Sequence, residues 1–143
     1  MCMYDLNIVD RVIELSKISF SNDEVPVGAV VVKNGLIIGE GVNTREYSNV
    51  ISGHAEINAI NEACRCINDW RLDGCDLYVS LKPCMMCTGA IIDSRVRNVY
   101  YICDRTNVCF DAGKYLNLFK IDQIDKYDDY VKMLKLFFEN KRN

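Results

Sequence analysis

Apolar and polar positions divide the chain into segments of two different periods. From Tyr4 to Phe20, Ile8, Val9, Val12, Ile13, Leu15 and Ile18 recur at helical spacing. The sequence therefore predicts an amphipathic helix with its apolar stripe on a core. Ser21 to Glu24 is polar, and Pro26, which cannot sit in a helix interior, marks the break. Val27 to Lys33 is β-branched and nearly all apolar, the pattern of a strand buried on both faces. Asn34-Gly35 is the strongest short hairpin signal, and Leu36 to Gly41 continues as the antiparallel partner. A polar loop runs from Asn43 through Gly53.

The second half alternates more regularly. A helix after His54 carries Ile57, Ile60, Cys64 and Ile67 on one face. Asp73-Gly74 leads into a strand from Asp76 to Leu81, and a helix from Cys84 to about Ser94 carries Ile91 and Ile92. Val96 to Cys103 reads as a strand and Asp104 to Gly113 as a loop. Tyr115 to Ile121 fits a short helix or a strand equally well. Tyr127 to Glu139 closes as a helix with Tyr130, Val131, Leu134, Phe137 and Phe138 apolar, and Lys141 and Arg142 give it a cationic end. Strands alternating with helices imply parallel pairing in a layered α/β architecture.

Composition narrows the class. The 143 residues contain no repeat or linker, so residues 1–143 are expected to form one domain large enough to bury a core. No apolar run approaches a membrane span. The net charge of −3 is not the footprint of an electrostatic nucleic-acid binder, although it leaves room for a local basic patch. Met1 to Asp10 has neither the basic nor the apolar region of a signal peptide, so the eight cysteines fit a reducing cytoplasm better than a disulfide framework.

The candidate chemistry lies in two blocks, His54-Ala55-Glu56 and Pro83-Cys84-Met85-Met86-Cys87. His54, Cys84 and Cys87 offer the nitrogen and sulfur donors that zinc prefers, with a fourth position left open for water. Cys84 and Cys87 are spaced to face the same way on a helix. Pro83 suits the helix start, where its missing N–H costs nothing, and thiols there lose protons easily. Glu56 is too near His54 along the chain to be an obvious extra ligand and is placed to move protons to and from a bound water. His54 is the only histidine. A core histidine with two buried thiols is the plainer alternative, but it leaves Pro83, Glu56 and the spacing as coincidence. Cys64 and Cys66 point different ways on their helix and do not make a second site. Cys2, Cys75, Cys103 and Cys109 read as packing thiols. Trp70 fits a core, a dimer interface or a stacking surface.

With these blocks in view, the chain resembles the zinc-dependent cytidine deaminase superfamily. Within it the chain is similar to the tRNA-specific adenosine deaminases, which convert the anticodon wobble adenosine to inosine. The likeness runs from the first helix to Cys103. It includes Glu24 to Val30, Gly39 to Asn43, Trp70-Arg71-Leu72, Leu77-Tyr78-Val79, Gly89-Ala90-Ile91 and Ser94-Arg95, besides the two blocks themselves. The resemblance implies a three-layer α/β/α fold with a central five-stranded mixed sheet. It implies Zn2+ on His54, Cys84 and Cys87, and hydrolytic deamination with Glu56 as the catalytic proton shuttle. At matched positions it implies that Asn43 hydrogen-bonds the target nucleoside and that Val27 helps wall the pocket. The terminal helix with Phe137 and Phe138 looks like the family's last helix, which implies that Phe138 lies near the RNA cleft. Asn43 also fits a plain turn residue closing the hairpin. The expected partners are a tRNA anticodon stem-loop and a second copy of the chain, with no membrane. The sequence departs from the family at Ile51-Ser52-Gly53 and at Arg105 to Phe110, which stands in place of a glycine-rich loop. The acidic charge and the altered loop favour an alternative substrate, a free base or nucleoside such as cytosine or guanine. A third reading is a non-catalytic zinc module or inactive partner subunit. Glu56 argues against it, because a structural site closes its fourth position and needs no proton shuttle.

Overall fold

The computed structural model describes residues 4–105, 109–122 and 125–141. The expectations for Cys2 and Arg142, and for the centre of the divergent loop at 106–108, fall outside them.

The first helix, α1, spans Leu6–Ser21, with the Asp5 carboxylate accepting from the Asn7 N–H at its start. Its buried stripe is Ile8, Val9, Val12, Ile13 and Leu15, as the spacing predicts. Ile18 falls outside this stripe and is exposed. Two serines take the inner positions instead: Ser16 Oγ donates to the Ile13 carbonyl, and Ser19 Oγ donates to the Val27 carbonyl. Gly28–Lys33 forms β1 and Leu36–Val42 forms β2. They are joined by the expected tight turn, with Asn34 at φ 52° and Gly35 at φ 79°.

The segment read as loop after Asn43 contains a short helix, α2, at Arg45–Ser48. It is held by a buried carboxylate: Glu24 accepts from the backbone N–H of Glu46 at 3.1 Å and of Tyr47 at 2.8 Å. Ala55–Ile67 forms α3, Cys75–Leu81 β3, Met85–Asp93 α4 and Asn98–Cys103 β4. After a 3-10 turn at Ala112–Lys114, the ambiguous segment resolves as a strand, β5, at Leu118–Lys120. Tyr127–Lys141 forms α5.

The sheet has five strands in the order β2-β1-β3-β4-β5. β3, β4 and β5 are parallel neighbours, as the strand–helix alternation implies. That inference fails between β1 and β3, which are antiparallel, while β1 and β2 form the antiparallel hairpin that Asn34-Gly35 predicts. The crossover through α3 does connect two strands that run the same way, β2 and β3, but β1 is inserted between them. The sheet is therefore mixed.

Its two faces can be told apart by register. Ala29 pairs with Gly41 and Val31 with Gly39, and these residues face α3. Val30 pairs with Glu40 on the other face, where Glu40 meets Arg11 of α1 at 2.6 Å. α4 packs beside α3, and α5 beside α1. The result is the expected three-layer α/β/α arrangement. α5 is fastened by Tyr130, which is fully buried and donates its hydroxyl to the Pro26 carbonyl at 2.7 Å.

The buried face of α3 shares only Ile60 with the predicted isoleucine face. Ala55, Glu56, Ala59, Ile60 and Ala63 are buried, while Ile57, Cys64 and Ile67 lie at the flank. The cause is on β2. A Cβ added at Gly39 would collide with the Ala59 carbonyl and the Ala63 backbone, and one at Gly41 with the Ala55 carbonyl. Strand glycines and helix alanines let the two backbones approach closely, and α3 turns its small side chains inward.

Candidate active site

Because β2, β3 and β4 run the same way, their carboxyl ends share one edge of the sheet, the edge where open α/β sheets commonly hold ligands. Asn43 follows β2 there, Lys82-Pro83-Cys84 follows β3, and Asp104-Arg105 follows β4. β1 begins at the same edge, just after Val27. The starts of α3 and α4 face one another above it.

His54 is the residue before the first turn of α3, and Cys84 has the same position on α4; neither side chain caps its own helix. Asn43 serves α3 instead, its Oδ1 accepting from the Ala55 N–H at 2.8 Å. The imidazole is thereby left for other work. His54 Nδ1 lies 3.6 Å from Cys84 Sγ and 3.4 Å from Cys87 Sγ. The three donor atoms all fall within 4.8 Å of one another. Zinc bonds of ~2.0 Å to nitrogen and ~2.3 Å to sulfur, opened to the tetrahedral angle, separate the two donors by about 3.5 Å. The donor set and its spacing thus fit a tetrahedral ion with one position to spare.

The thiols are electrostatically paired. The Cys84 thiol is pushed down to about 3, first by the hydrogen bond from Cys87 and then by the bond to His54, against the opposing effect of burial. Cys87 is pushed up by the same hydrogen bond, by burial and by the negative charge of Glu56. The lowered thiol lies at a helix start, where the peptide dipoles favour negative charge.

Glu56 is 2% exposed. Its Oε2 and Thr88 Oγ1 are the buried side-chain oxygens without a hydrogen-bond partner among the described residues. Burial raises the Glu56 carboxyl above the usual carboxylate range; its own backbone N–H, His54 and Arg105 pull it part of the way back. An unpartnered buried carboxylate oxygen is costly to a fold and finds its use in binding or proton transfer.

The substrate contacts expected from the resemblance are distributed differently. Asn43 is buried, and both ends of its amide have backbone partners, Ala55 N–H and the Val25 carbonyl at 3.0 Å. Each end keeps capacity for one further hydrogen bond. Val27 is buried at the start of the β1 edge. Phe138 is 44% exposed and lines a cavity with Leu81, Cys103 and Arg105, a cavity to which none of His54, Cys84 and Cys87 contributes. Its neighbour Phe137 is the core residue of the pair. Trp70 is not core either: the residue is 53% exposed, with the Arg71 and Arg95 guanidinium groups 4.7 and 5.3 Å from its ring centroid. Reading the sequence missed the structural roles of Glu24 and Asn43, since their hydrogen-bond partners are remote along the chain.

The MafB19-like deaminase family matches residues 3–142. The chain is 39% identical over 129 residues to a tRNA-specific adenosine deaminase of Bacillus subtilis (strain 168), covering 83% of this chain and 79% of that relative. It is 44% identical over 101 residues to a guanine deaminase of the same organism, covering 71% of this chain and 64% of the relative. Among solved structures it matches one from work on A-to-I editing by tRNA:A34 deaminases with a TM-score of 0.72 at 30% identity, over 81% of this chain and 98% of the other. The two-helix His/Cys/Cys cluster, the mixed five-stranded sheet and these matches agree: the chain belongs to the MafB19-like deaminases, cytidine/deoxycytidylate deaminase-like enzymes of the aminohydrolase type.

Proposed function

We propose that this deaminase converts adenosine to inosine at the wobble position of tRNA, with zinc held by His54, Cys84 and Cys87 and Glu56 as the proton shuttle. The observation that carries the catalytic part is the pairing of two features. A donor trio with zinc-like spacing lies beside a buried carboxylate whose Oε2 has no other partner. Zinc, when bound, supplies Lewis-acid activation of a water molecule. Glu56 does the rest of the proton work. Its Oε2 accepts the proton that water gives up on adding to the amine-bearing carbon of the base. The same carboxyl delivers a proton to the ring nitrogen, and a further transfer lets ammonia depart, leaving a carbonyl. A carboxyl raised by burial is a stronger base than an exposed one, which suits it to taking up and returning a proton. Asn43 contributes by fixing the start of α3, and hence His54 and Glu56; its spare hydrogen-bonding capacity is directed to the nucleoside. Val27 helps wall the space for the base, and Phe138 stands on the RNA side.

The tRNA reading is supported by the relative at 39% identity and by the structural match of 0.72. A second reading, a free-base deaminase acting on guanine or a similar substrate, is supported by the relative at 44% identity and by the net charge of −3. On the same footing we take the working unit to be a cytoplasmic homodimer, which sedimentation of the purified protein tests. Among the described residues no helix is long and apolar enough to cross a membrane.

The deciding experiment incubates the zinc-loaded protein with an adenosine-containing anticodon stem-loop and, separately, with guanine, cytosine and adenosine. Inosine in the RNA is the expected result; ammonia from the free compounds alone moves the assignment to the second reading. Glu56→Ala is expected to retain zinc and fold while losing roughly 10²–10⁴ in turnover. Undiminished turnover in that variant overturns the role given to Glu56.

A further inference from the structure

A cavity of about 370 Å³ opens at the carboxyl ends of β3 and β4, the sheet edge that also carries the His54–Cys84–Cys87 cluster. Leu81 and Cys103, from the ends of β3 and β4, form its floor, and Val131, Leu134 and Phe138 of α5 form one wall. Set into this apolar frame are two cations, Arg105 and Lys135. Arg105 is anchored: its Nε donates to the Lys82 carbonyl at 2.7 Å, two residues before Cys84. That bond uses one nitrogen of the guanidinium and leaves the terminal pair. Among the described residues neither Arg105 nor Lys135 has a carboxylate in ion-pair range. Asp104 also lines the cavity, but its carboxylate is already engaged by Lys120 at 2.7 Å and by the Tyr101 hydroxyl at 2.8 Å. Glu139 also lines the cavity and is exposed at its margin, one turn beyond Lys135. A fixed guanidinium with a free fork, backed by a second cation and bordering apolar walls, is the arrangement that binds a phosphate attached to an organic group.

We propose that this cavity is a phosphate subsite, in which the Arg105 fork and Lys135 hold a phosphate of the nucleotide whose base is deaminated next door. The inference rests on the reading of the His54–Glu56–Cys84–Cys87 cluster as the deaminase centre. It makes Arg105 a specificity-determining residue, selecting nucleotides over free bases. The phosphate comes either from the backbone of an RNA or from a free nucleoside monophosphate, and Phe138 offers an apolar face beside it in both cases.

The test measures binding as well as turnover, so that it remains readable if the assigned reaction fails. Zinc-loaded wild type, Arg105→Met and Lys135→Met are titrated with an anticodon stem-loop. They are also titrated with the same RNA carrying single neutral methylphosphonates on either side of the target adenosine, with adenosine 5′-monophosphate, and with adenosine. Arg105→Met is expected to weaken phosphate-bearing probes roughly tenfold, the effect of about 1.4 kcal/mol. It should leave the probe lacking the relevant charge within about twofold, a change too small to reflect a lost charged hydrogen bond. A charge-dependent loss on the stem-loop assigns the phosphodiester; one confined to the monophosphate assigns the free nucleotide. Lys135→Met, on the exposed side of α5, should show the same dependence at smaller size, and it provides the test if Arg105→Met does not fold. Equal losses on charged and neutral probes, or no loss in either variant, overturn the proposal. Absence of turnover on every adenosine probe with an intact charge-dependent binding loss refutes the adenosine reading and leaves the subsite standing.

Discussion

Asn43 joins three segments by hydrogen bonds: to Ser19 through its backbone N–H, to Val25 through Nδ2 and to Ala55 through Oδ1. Replacing it with alanine leaves the Ala55 N–H without its partner at a buried helix start, which costs about 1–3 kcal/mol. Asn43→Ala should therefore lower the melting temperature. It should also weaken zinc, because His54 is the residue just before Ala55; differential scanning calorimetry and competition with a chromophoric chelator measure the two effects. Neither hydrogen bond is readable from local pattern, since Ala55 and Val25 lie far from Asn43 along the chain. The same is true of Glu24, which a local reading places in a polar loop and which the fold buries under α2. By contrast His54, Glu56, Cys84 and Cys87 are legible in sequence. Their chemistry demands fixed short spacings, and a spacing survives in one dimension where a long-range contact does not.

Elements depend on what packs against them, and α3 shows how. Its isoleucines suggest one buried face, but Gly39 and Gly41 on β2 select the alanine face instead. The signal was present as Ala55, Ala59 and Ala63 at helical spacing and two glycines at strand spacing. It becomes decisive only once the two segments are known to touch. Gly41→Ala should cost about 2–3 kcal/mol by overpacking. It should also reduce turnover, because α3 must shift and takes Glu56 with it; a thermal melt with a steady-state assay checks both. The contact of α1 with β2 on the opposite face has its own signature. Arg11 forks onto Glu40, with Nε at 2.6 Å and Nη2 at 2.9 Å, and holds its carboxyl below the usual carboxylate range against the effect of burial. A lowered carboxylate stabilises the fold above its unfolded value of about 4.3 and loses that contribution as pH falls through the lower folded value. Arg11→Met should thus destabilise by about 0.5–1 kcal/mol at pH 7, with the difference from wild type vanishing in acid; urea melts across pH measure it. Tyr115 to Ile121 could not be assigned from its own residues because β5 exists only through its pairing with β4.

At the scale of the molecule, the layered α/β class follows from the alternation of periods, whereas the insertion of β1 between β2 and β3 does not. Antiparallel and parallel neighbours bury the same kinds of residue, and the choice is made by the chain's route rather than by local composition. The same strand order governs when the active site can exist at all. β1 and β2 are joined by a two-residue turn and can pair early, whereas His54 and the two cysteines meet only after β3 has docked on β1 and brought α4 beside α3. Contacts of such large sequence separation carry a large loop-closure cost, and we expect these to form after the folding barrier. Zinc should accordingly act on one limb of the kinetics. Stopped-flow unfolding is expected to slow when the metal is present, by roughly the factor that it adds to equilibrium stability, while the refolding rate in the same buffer stays unchanged. A metal that instead speeds refolding would mean that the two halves of the site find each other before the central strands pair. In the expected case the ion acts as a latch on a finished fold, and its loss shortens the lifetime of the native state without blocking the route back to it.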